Sequence, residues 1–160
     1  MKYHYTTQHD LRAILRDGIQ PATRNVPKGV RPIVWLTTSD RWEETCNKGL
    51  RNKESGEEFT LTRDETAANF GALARIGVSD RVKTHPFFRL MRLSGESKQM
   101  VAGLRKLAEK RGSNPIHDWY GTFQTISPDY FETVDLFEDG SWVSLESLVE
   151  QKRAAAGATK

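Results

Sequence analysis

The chain has 160 residues, of which 37% are hydrophobic and 28% charged, with a formal net charge of +3 and a pI near 9.1. This length suits one domain that buries a core without disulfides or metals, and no apolar run reaches the roughly 18 residues of a membrane span. The basic residues are scattered, unlike those of a dedicated nucleic-acid binder. The first residues lack the apolar stretch of a signal peptide. The single cysteine, Cys46, fits a reducing compartment, so we expect a cytoplasmic protein without membrane contact.

The first quarter of the chain reads as strand, helix, loop and strand. The segment KYHYTT predicts a strand over 2–7 because it is rich in aromatic residues and threonine. Apolar residues at helical spacing, closed by Gly18, predict a helix over 8–17. Three prolines and a glycine make 19–32 a loop. The apolar run that ends in hydroxyl groups predicts a strand over 33–37.

The middle of the chain is less regular. FTLT alternates and suits a short strand over 59–62, and the acidic start and glycine end of the next segment predict a helix over 63–70. ALARIGV predicts a strand over 72–78. Residues 79–95 remain ambiguous because Pro86 interrupts any regular element.

The last third contains the clearest helix, over 98–111, with a serine cap and a basic last turn. A loop over 113–119 and a strand over 120–126 follow. Asp139-Gly140 then predicts the turn of a β-hairpin. The tail 151–160 has no apolar pattern to bury, which indicates a flexible end.

Strands and helices do not alternate strictly along this pattern. It therefore predicts an α+β fold with a mixed or antiparallel sheet rather than a doubly wound one. One domain over 1–150 accounts for every element, and the flexible tail follows it. The apolar faces predict the core residues Leu11, Ile14, Leu15, Val34, Leu36, Ile76, Val101, Leu104 and Leu107.

Polar chemistry concentrates on the two strands that end in hydroxyl groups. His4 and Thr6 share one face of the first strand, where an imidazole and a hydroxyl suit the diol of a sugar. Trp35 and Thr37 share a face of the second, where the indole suits a flat ring. The alternatives stay open: a histidine satisfied at a sheet edge, and a tryptophan in the core. The four histidines show no spacing typical of a zinc site.

Taken together, these motifs resemble those of a known superfamily. An opening Y-H-Y-T-T, a short helix that closes D-G-I-x-P, and then R-P-x-V-W-L-T-T are similar to the ADP-ribosyltransferase-like superfamily. The likeness is to its branch with a histidine on the first strand, which includes the DarT-type toxins that modify DNA and, more distantly, the tRNA 2′-phosphotransferases. Small bacterial and phage proteins of this style also share ARIGV, a late helix and P-x-x-D-W-Y-G-T-F. The match covers residues 2–38 best.

The resemblance implies a compact domain with a split, mostly antiparallel β-sheet and flanking helices that holds NAD, the substrate, in a cleft. His4 would bond a ribose of NAD with support from Thr6, and Thr37 or Thr38 would brace the nicotinamide pocket. Trp35 or Tyr5 would stack on the nicotinamide, and Arg75 would face the pyrophosphate.

The resemblance also implies a glutamate on a late strand, which holds the ribose and offsets the positive charge as nicotinamide leaves. The residue best placed for this role is Gln124, which carries no negative charge. Glu132 is the fallback catalytic carboxylate. His4, Gln124 and Glu132 are therefore the expected catalytic residues.

Three functions follow from the resemblance. The first is an enzyme that moves ADP-ribose from NAD to a macromolecule, either nucleic acid or protein. The second is a catalytically inactive nucleotide- or protein-binding module of the phage or mobile-element inhibitor type. The third is an RNA 2′-phosphotransferase-like enzyme that would hold a phosphorylated RNA end through Arg12, Arg31 or Arg75.

Overall fold

The computed structural model describes residues 1–23 and 26–157 of the chain. Two short 3₁₀ turns accompany the regular elements, at Glu44–Cys46 and Pro128–Tyr130. The strands are β1 Lys2–Thr7, β2 Val34–Thr37, β3 Gly49–Arg51, β4 Glu58–Thr60, β5 Leu73–Val78, β6 His85–Pro86, β7 Trp119–Thr122, β8 Phe131–Glu138 and β9 Ser141–Ser144. The helices are α1 Gln8–Asp17, α2 Arg63–Phe70, α3 Phe87–Ser94, α4 Lys98–Lys110, α5 Pro115–Asp118 and α6 Leu145–Gly157.

Seven strands form one sheet in the order β6-β7-β2-β1-β5-β8-β9, and every neighbouring pair is antiparallel. The remaining strands, β3 and β4, pair as a separate hairpin. The antiparallel pairing and the flanking helices confirm the expected α+β class. In the centre, β1 pairs with β5 along its whole length but shares only one residue pair with β2, Tyr3 with Thr37. The sheet therefore opens between β1 and β2, on the two strands that carry the polar motifs.

The core lies on both faces of this sheet because successive strand residues point to opposite sides. One cluster packs α1 and α6, through Leu11 and Leu148, against inward residues of the central strands such as Ile76. The other packs α3, through Phe87 and Leu90, against β7 and the start of β2. The cleft between β1 and β2 is thus held by helices above and below the sheet.

Most of the predicted elements are confirmed, and the exceptions have local causes. α3 begins directly after Pro86. A proline is tolerated at the start of a helix, where its missing N–H would have no partner within the helix, so Pro86 marks a helix boundary and does not break a helix. The predicted loop over 113–119 contains the one-turn helix α5, with Pro115 as its first residue. The predicted strand over 120–126 ends at Thr122. These differences concern where elements start and stop, not the class of the fold.

The tail is helical through Gly157, as the second half of α6, and the last three residues lie outside the described part of the chain. Its flexibility stays a prediction. Among the predicted core residues, Leu15 and Leu107 were wrong, since they are 38% and 46% exposed. Both leucines lie at the edge of the apolar face of their helix, beyond the part that packs against the rest of the protein.

Candidate functional site

The opening between β1 and β2 is the centre of a cavity of about 290 Å³. Aromatic rings make up much of its wall: Tyr3 and Tyr5 from β1, Trp35 from β2 and Trp119 from β7. The Trp35 and Trp119 rings meet edge to face, with their centroids 5.5 Å apart. A few polar groups on a mostly apolar wall are typical of small-molecule sites, whose volumes begin near 300 Å³. The cavity therefore suits one ring and a sugar rather than a whole dinucleotide.

His4 spans the opening between the strands. Its Nδ1 lies 3.0 Å from the backbone carbonyl of Trp35, which can only accept, so Nδ1 carries the proton and donates it. Burial lowers the pKa of His4, against the opposing effect of the Trp35 carbonyl, and nearby Lys48 lowers it further. The ring is therefore neutral at pH 7. Within the described residues Nε2 makes no hydrogen bond, so its lone pair is available to a hydroxyl group of a ligand.

Thr37, the last residue of β2, lines the same cavity. Its side-chain oxygen accepts a hydrogen bond of 3.1 Å from the backbone N–H of Ser39, which turns the chain away from the sheet. Tyr5 donates from its hydroxyl to the Ser39 carbonyl at 2.8 Å, and burial raises its pKa. The phenol stays protonated at every physiological pH. These two hydrogen bonds tie the β2 end of the cavity to β1 and to the turn at Ser39.

A buried carboxylate, Glu43, also lines the cavity, and the sequence motifs did not single it out. One carboxylate oxygen accepts from the Thr45 hydroxyl at 2.9 Å and from the Ser113 hydroxyl, and the other accepts from Trp119 Nε1 at 3.1 Å. No salt bridge to Glu43 forms among the described residues. The cavity therefore has a fixed negative charge that is solvated by neutral donors.

The only cysteine lies in this wall as well. Burial, together with the negative charge of Glu43, raises the pKa of the Cys46 thiol to about 12. The thiol is therefore protonated at neutral pH and is a poor nucleophile.

The structure brings four of the predicted site residues together: His4, Tyr5, Trp35 and Thr37 all line the cavity. The pairing of Tyr3 with Thr37 places the two motif strands side by side, so residues of both strands line the same cavity.

Three other predicted binding residues lie elsewhere. Thr6 is buried outside the cavity wall, and Thr38 is exposed and donates to Asp118. The Arg75 guanidinium is already engaged: its Nε lies 2.8 Å from an Asp135 oxygen, and Nη1 donates to the Asp40 carbonyl at 2.8 Å. Arg75 is held within the sheet face and does not line the cavity, so a direct role in holding a pyrophosphate has no geometric support.

The two expected catalytic residues on late segments also lie away from the cavity. Gln124 is exposed and follows the end of β7, and its N–H bonds the Thr122 side chain. Glu132 is exposed near the start of β8, which is separated from β1 by β5. Neither lines the cavity, because β7 ends before Gln124 and β8 lies two strands away from the opening.

Glu43 was missed because it lies in an irregular segment with no periodicity. A weak signal exists in the sequence, since Glu43 follows the hydroxyl-rich end of β2 by only a few residues and precedes a lone cysteine. Its burial depends on Ser113 and Trp119, which are about 70 residues further along the chain. No local pattern reports such a contact.

Comparisons with protein-family models, with curated proteins and with solved structures found no match for this chain. Within the described residues, no group of three or more His, Cys, Asp or Glu side chains is placed to hold a metal ion. No helix there is long and apolar enough to cross a membrane. The geometry of the cavity therefore carries the functional argument.

Proposed function

We propose that the cavity between β1 and β2 binds the nicotinamide end of NAD and that the protein is an ADP-ribosyltransferase-like enzyme with a macromolecular acceptor, nucleic acid or protein. One observation carries the proposal. The neutral His4, with a free Nε2 acceptor, shares an aromatic cavity with the buried negative charge of Glu43. Sugar recognition and charge stabilisation, the two needs of this chemistry, thus occur in one place.

His4 Nε2 would accept a hydrogen bond from a ribose hydroxyl, and the Trp35 and Tyr5 rings would enclose the flat nicotinamide. The volume of about 290 Å³ fits this end of the molecule, so the adenosine part would lie outside the cavity. In the reaction, the bond from ribose C1′ to the nicotinamide nitrogen breaks and its electron pair leaves with neutral nicotinamide. An acceptor nucleophile then bonds to C1′ and loses its proton.

Positive charge develops on the ribose as this bond breaks, and a preorganised negative charge nearby lowers the barrier. Glu43 carries such a charge, whereas Gln124 offers only a dipole and lies outside the cavity. The Glu43 carboxylate costs no reorganisation, because Thr45, Ser113 and Trp119 already hold it in position. We therefore assign to Glu43 the electrostatic role that the sequence reading gave to Gln124 or Glu132.

The saturated hydrogen bonding of Glu43 also favours the second candidate, a binding module without catalysis. A carboxylate that accepts three or more hydrogen bonds has little capacity left to grip a ribose hydroxyl. The third candidate, an RNA 2′-phosphotransferase-like enzyme, has less support. Arg75 is paired with Asp135, and neither Arg12 nor Arg31 lines the cavity.

The test has a binding arm and a turnover arm. Calorimetry with NAD, ADP-ribose and nicotinamide measures binding to the wild type, to His4→Ala and to the matched control Gln124→Ala, which lies outside the cavity. Loss of one hydrogen bond to a ligand predicts about a tenfold weaker affinity for His4→Ala. Gln124→Ala should bind as the wild type does.

Isotopically labelled NAD then reports nicotinamide release and label transfer to added DNA, RNA or protein. Release or transfer supports the enzyme, and binding without either supports the inactive module. If neither NAD nor ADP-ribose binds at millimolar concentration, the cavity is not a nucleotide site. If Gln124→Ala weakens binding as much as His4→Ala does, the cavity is misassigned.

A further inference from the structure

Positive charge is concentrated on one stretch of the chain, residues 87–112, which contains α3 and α4. This stretch holds seven Lys and Arg residues and two Glu residues, a net charge of +5, whereas the whole chain carries +3. The rest of the chain is therefore net negative, by two charges. The small net charge of the whole chain therefore includes a strongly basic pair of helices. A surface of this charge attracts acidic partners.

A groove of about 480 Å³ runs between these two helices, away from the NAD cavity. Its apolar floor is formed by Phe88 and Met91 of α3 and by Val101 and Ala102 of α4. Phe88 is 53% exposed, which is unusual for a side chain of this size. An exposed aromatic ring beside methionine and aliphatic side chains is typical of a protein-binding groove.

The rim of the groove is cationic. Arg92, Lys98 and Arg105 line it against one acidic residue, Glu96. Arg105 forms an ion pair with Glu109 along α4, but neither Arg92 nor Lys98 makes a salt bridge with any residue that the structure describes. Two cations on the rim are thus free to pair with an incoming carboxylate.

The helix α4 is also poorly covered by the rest of the protein. Of its 13 residues only Ala108 is buried, while Met100 and Leu107 are about half exposed. Helices of globular proteins gain most of their stability from an apolar face that packs against something else. A partner that packed along α4 would supply the cover that the chain itself does not.

We infer that the α3–α4 groove docks an acidic amphipathic helix of another protein. Such a helix would place apolar side chains on the floor, beside Phe88, and carboxylates against Arg92, Lys98 and Arg105. Single-stranded nucleic acid would satisfy the same charges. It binds through successive stacked aromatic rings, however, and this groove offers one ring and an aliphatic floor.

A second copy of this chain fits less well than a separate acidic partner. The C-terminal helix α6 is the other long helix, and its sequence carries Glu146 and Glu150 but also Lys152 and Arg153. It is therefore not acidic overall and does not complement the rim.

The test uses a designed helical peptide of about 14 residues, which matches the length of α4. Leucines occupy one face and glutamates the other, and a scrambled peptide of the same composition removes the apolar face while keeping the charge. Oligothymidylate is the nucleic-acid probe. Fluorescence anisotropy measures the affinity of each probe, and circular dichroism with urea titration confirms that every variant is folded.

We expect the amphipathic peptide to bind at least about tenfold more tightly than the scrambled one. Arg92→Glu with Arg105→Glu should weaken it by about tenfold or more, and so should Phe88→Gln. The matched control, Lys53→Glu with Lys83→Glu, makes the same change of charge on exposed residues outside the groove and should leave binding nearly unchanged.

Equal binding of the two peptides, or no binding of either, would overturn the inference. So would oligothymidylate that binds more tightly than the peptide, or self-association of the chain that Phe88→Gln abolishes. Because the groove shares no residue with the NAD cavity, neither result bears on nucleotide binding, and the two proposals fail separately.

Discussion

Glu43→Gln separates the structural role of the buried carboxylate from its proposed electrostatic role. The substitution keeps the shape of the side chain and removes its charge. In the wild type each oxygen accepts from an N–H group that only donates: Oε2 from Trp119 Nε1 at 3.1 Å, and Oε1 from the Thr45 backbone at 3.4 Å. The glutamine amide has one oxygen and one NH₂ group, so it satisfies one of these donors and opposes the other.

The magnitude follows from this mismatch. One buried donor left unsatisfied costs about 1–3 kcal/mol. The Trp119 donor is the closer of the two, at 3.1 Å against 3.4 Å, so the amide oxygen should turn to it. The Ser113 and Thr45 hydroxyls can rotate to accept from the NH₂ group, which keeps the cost near the lower end. We therefore expect Glu43→Gln to lower the free energy of unfolding by about 1–2 kcal/mol.

Urea titration followed by tryptophan fluorescence measures this change, because Trp119 and Trp35 both lie at the site. Turnover is measured on protein that is shown to be folded. If Glu43 offsets the developing positive charge, Glu43→Gln should bind NAD nearly as the wild type does but release nicotinamide about a hundredfold more slowly or worse.

Glu132→Gln is the matched control, since it makes the same chemical change at an exposed carboxylate outside the cavity. It should change neither stability nor turnover. A Glu43→Gln protein as stable as the wild type would refute the hydrogen-bond reasoning, and one that keeps full turnover would refute the electrostatic role.

Four further expectations follow from particular side chains. Burial lowers the pKa of His4, so as the pH falls the unfolded chain takes up a proton before the folded protein does. The contribution of His4 to stability is therefore complete above about pH 6.5, and below that pH the free energy of unfolding falls by up to about 1.4 kcal/mol per pH unit. His4→Gln should flatten this part of a pH–stability curve, and an unchanged slope would contradict the assignment. Cys46, whose thiol has a raised pKa of about 12, should react slowly with a thiol reagent at pH 8 in the folded protein and quickly after denaturation; equal rates would show an accessible thiolate. Leu104→Ala should cost about 1–2 kcal/mol in chemical denaturation because Leu104 is only partly buried, and Leu107→Ala, on the exposed side of the same helix, should cost well under 1 kcal/mol; the reverse order would mean that α4 is packed differently. Gly121→Ala should destabilise by about 1–3 kcal/mol or more, since a Cβ there would lie 2.7 Å from the Val34 carbonyl oxygen and 2.6 Å from a Leu90 methyl carbon; a thermal midpoint equal to that of the wild type would contradict the close packing of β7.

The sequence determined those features that depend on local pattern. KYHYTT and ALARIGV form β1 and β5 with the predicted bounds to within a residue. The hairpin of β8 and β9 turns at Asp139-Gly140 as predicted, and both of these residues have a positive φ. Periodicity and turn chemistry act over a few residues, so a sequence alone reports them. The same locality explains why the sequence groups His4, Tyr5, Trp35 and Thr37: they lie on two short strands that end in hydroxyl residues.

Only the tertiary structure decided which of these residues lie in one cavity. The sheet opens between β1 and β2 because these strands share only the pair Tyr3–Thr37. On their other sides, β1 pairs with β5 and β2 pairs with β7. Arg75 lies outside the cavity and pairs with Asp135, which β8 places beside it. Glu43 lies in the cavity wall, where Trp119, from far along the chain, donates a hydrogen bond to its carboxylate. Burial of a charge depends on every element packed around it, and no window of sequence contains that information.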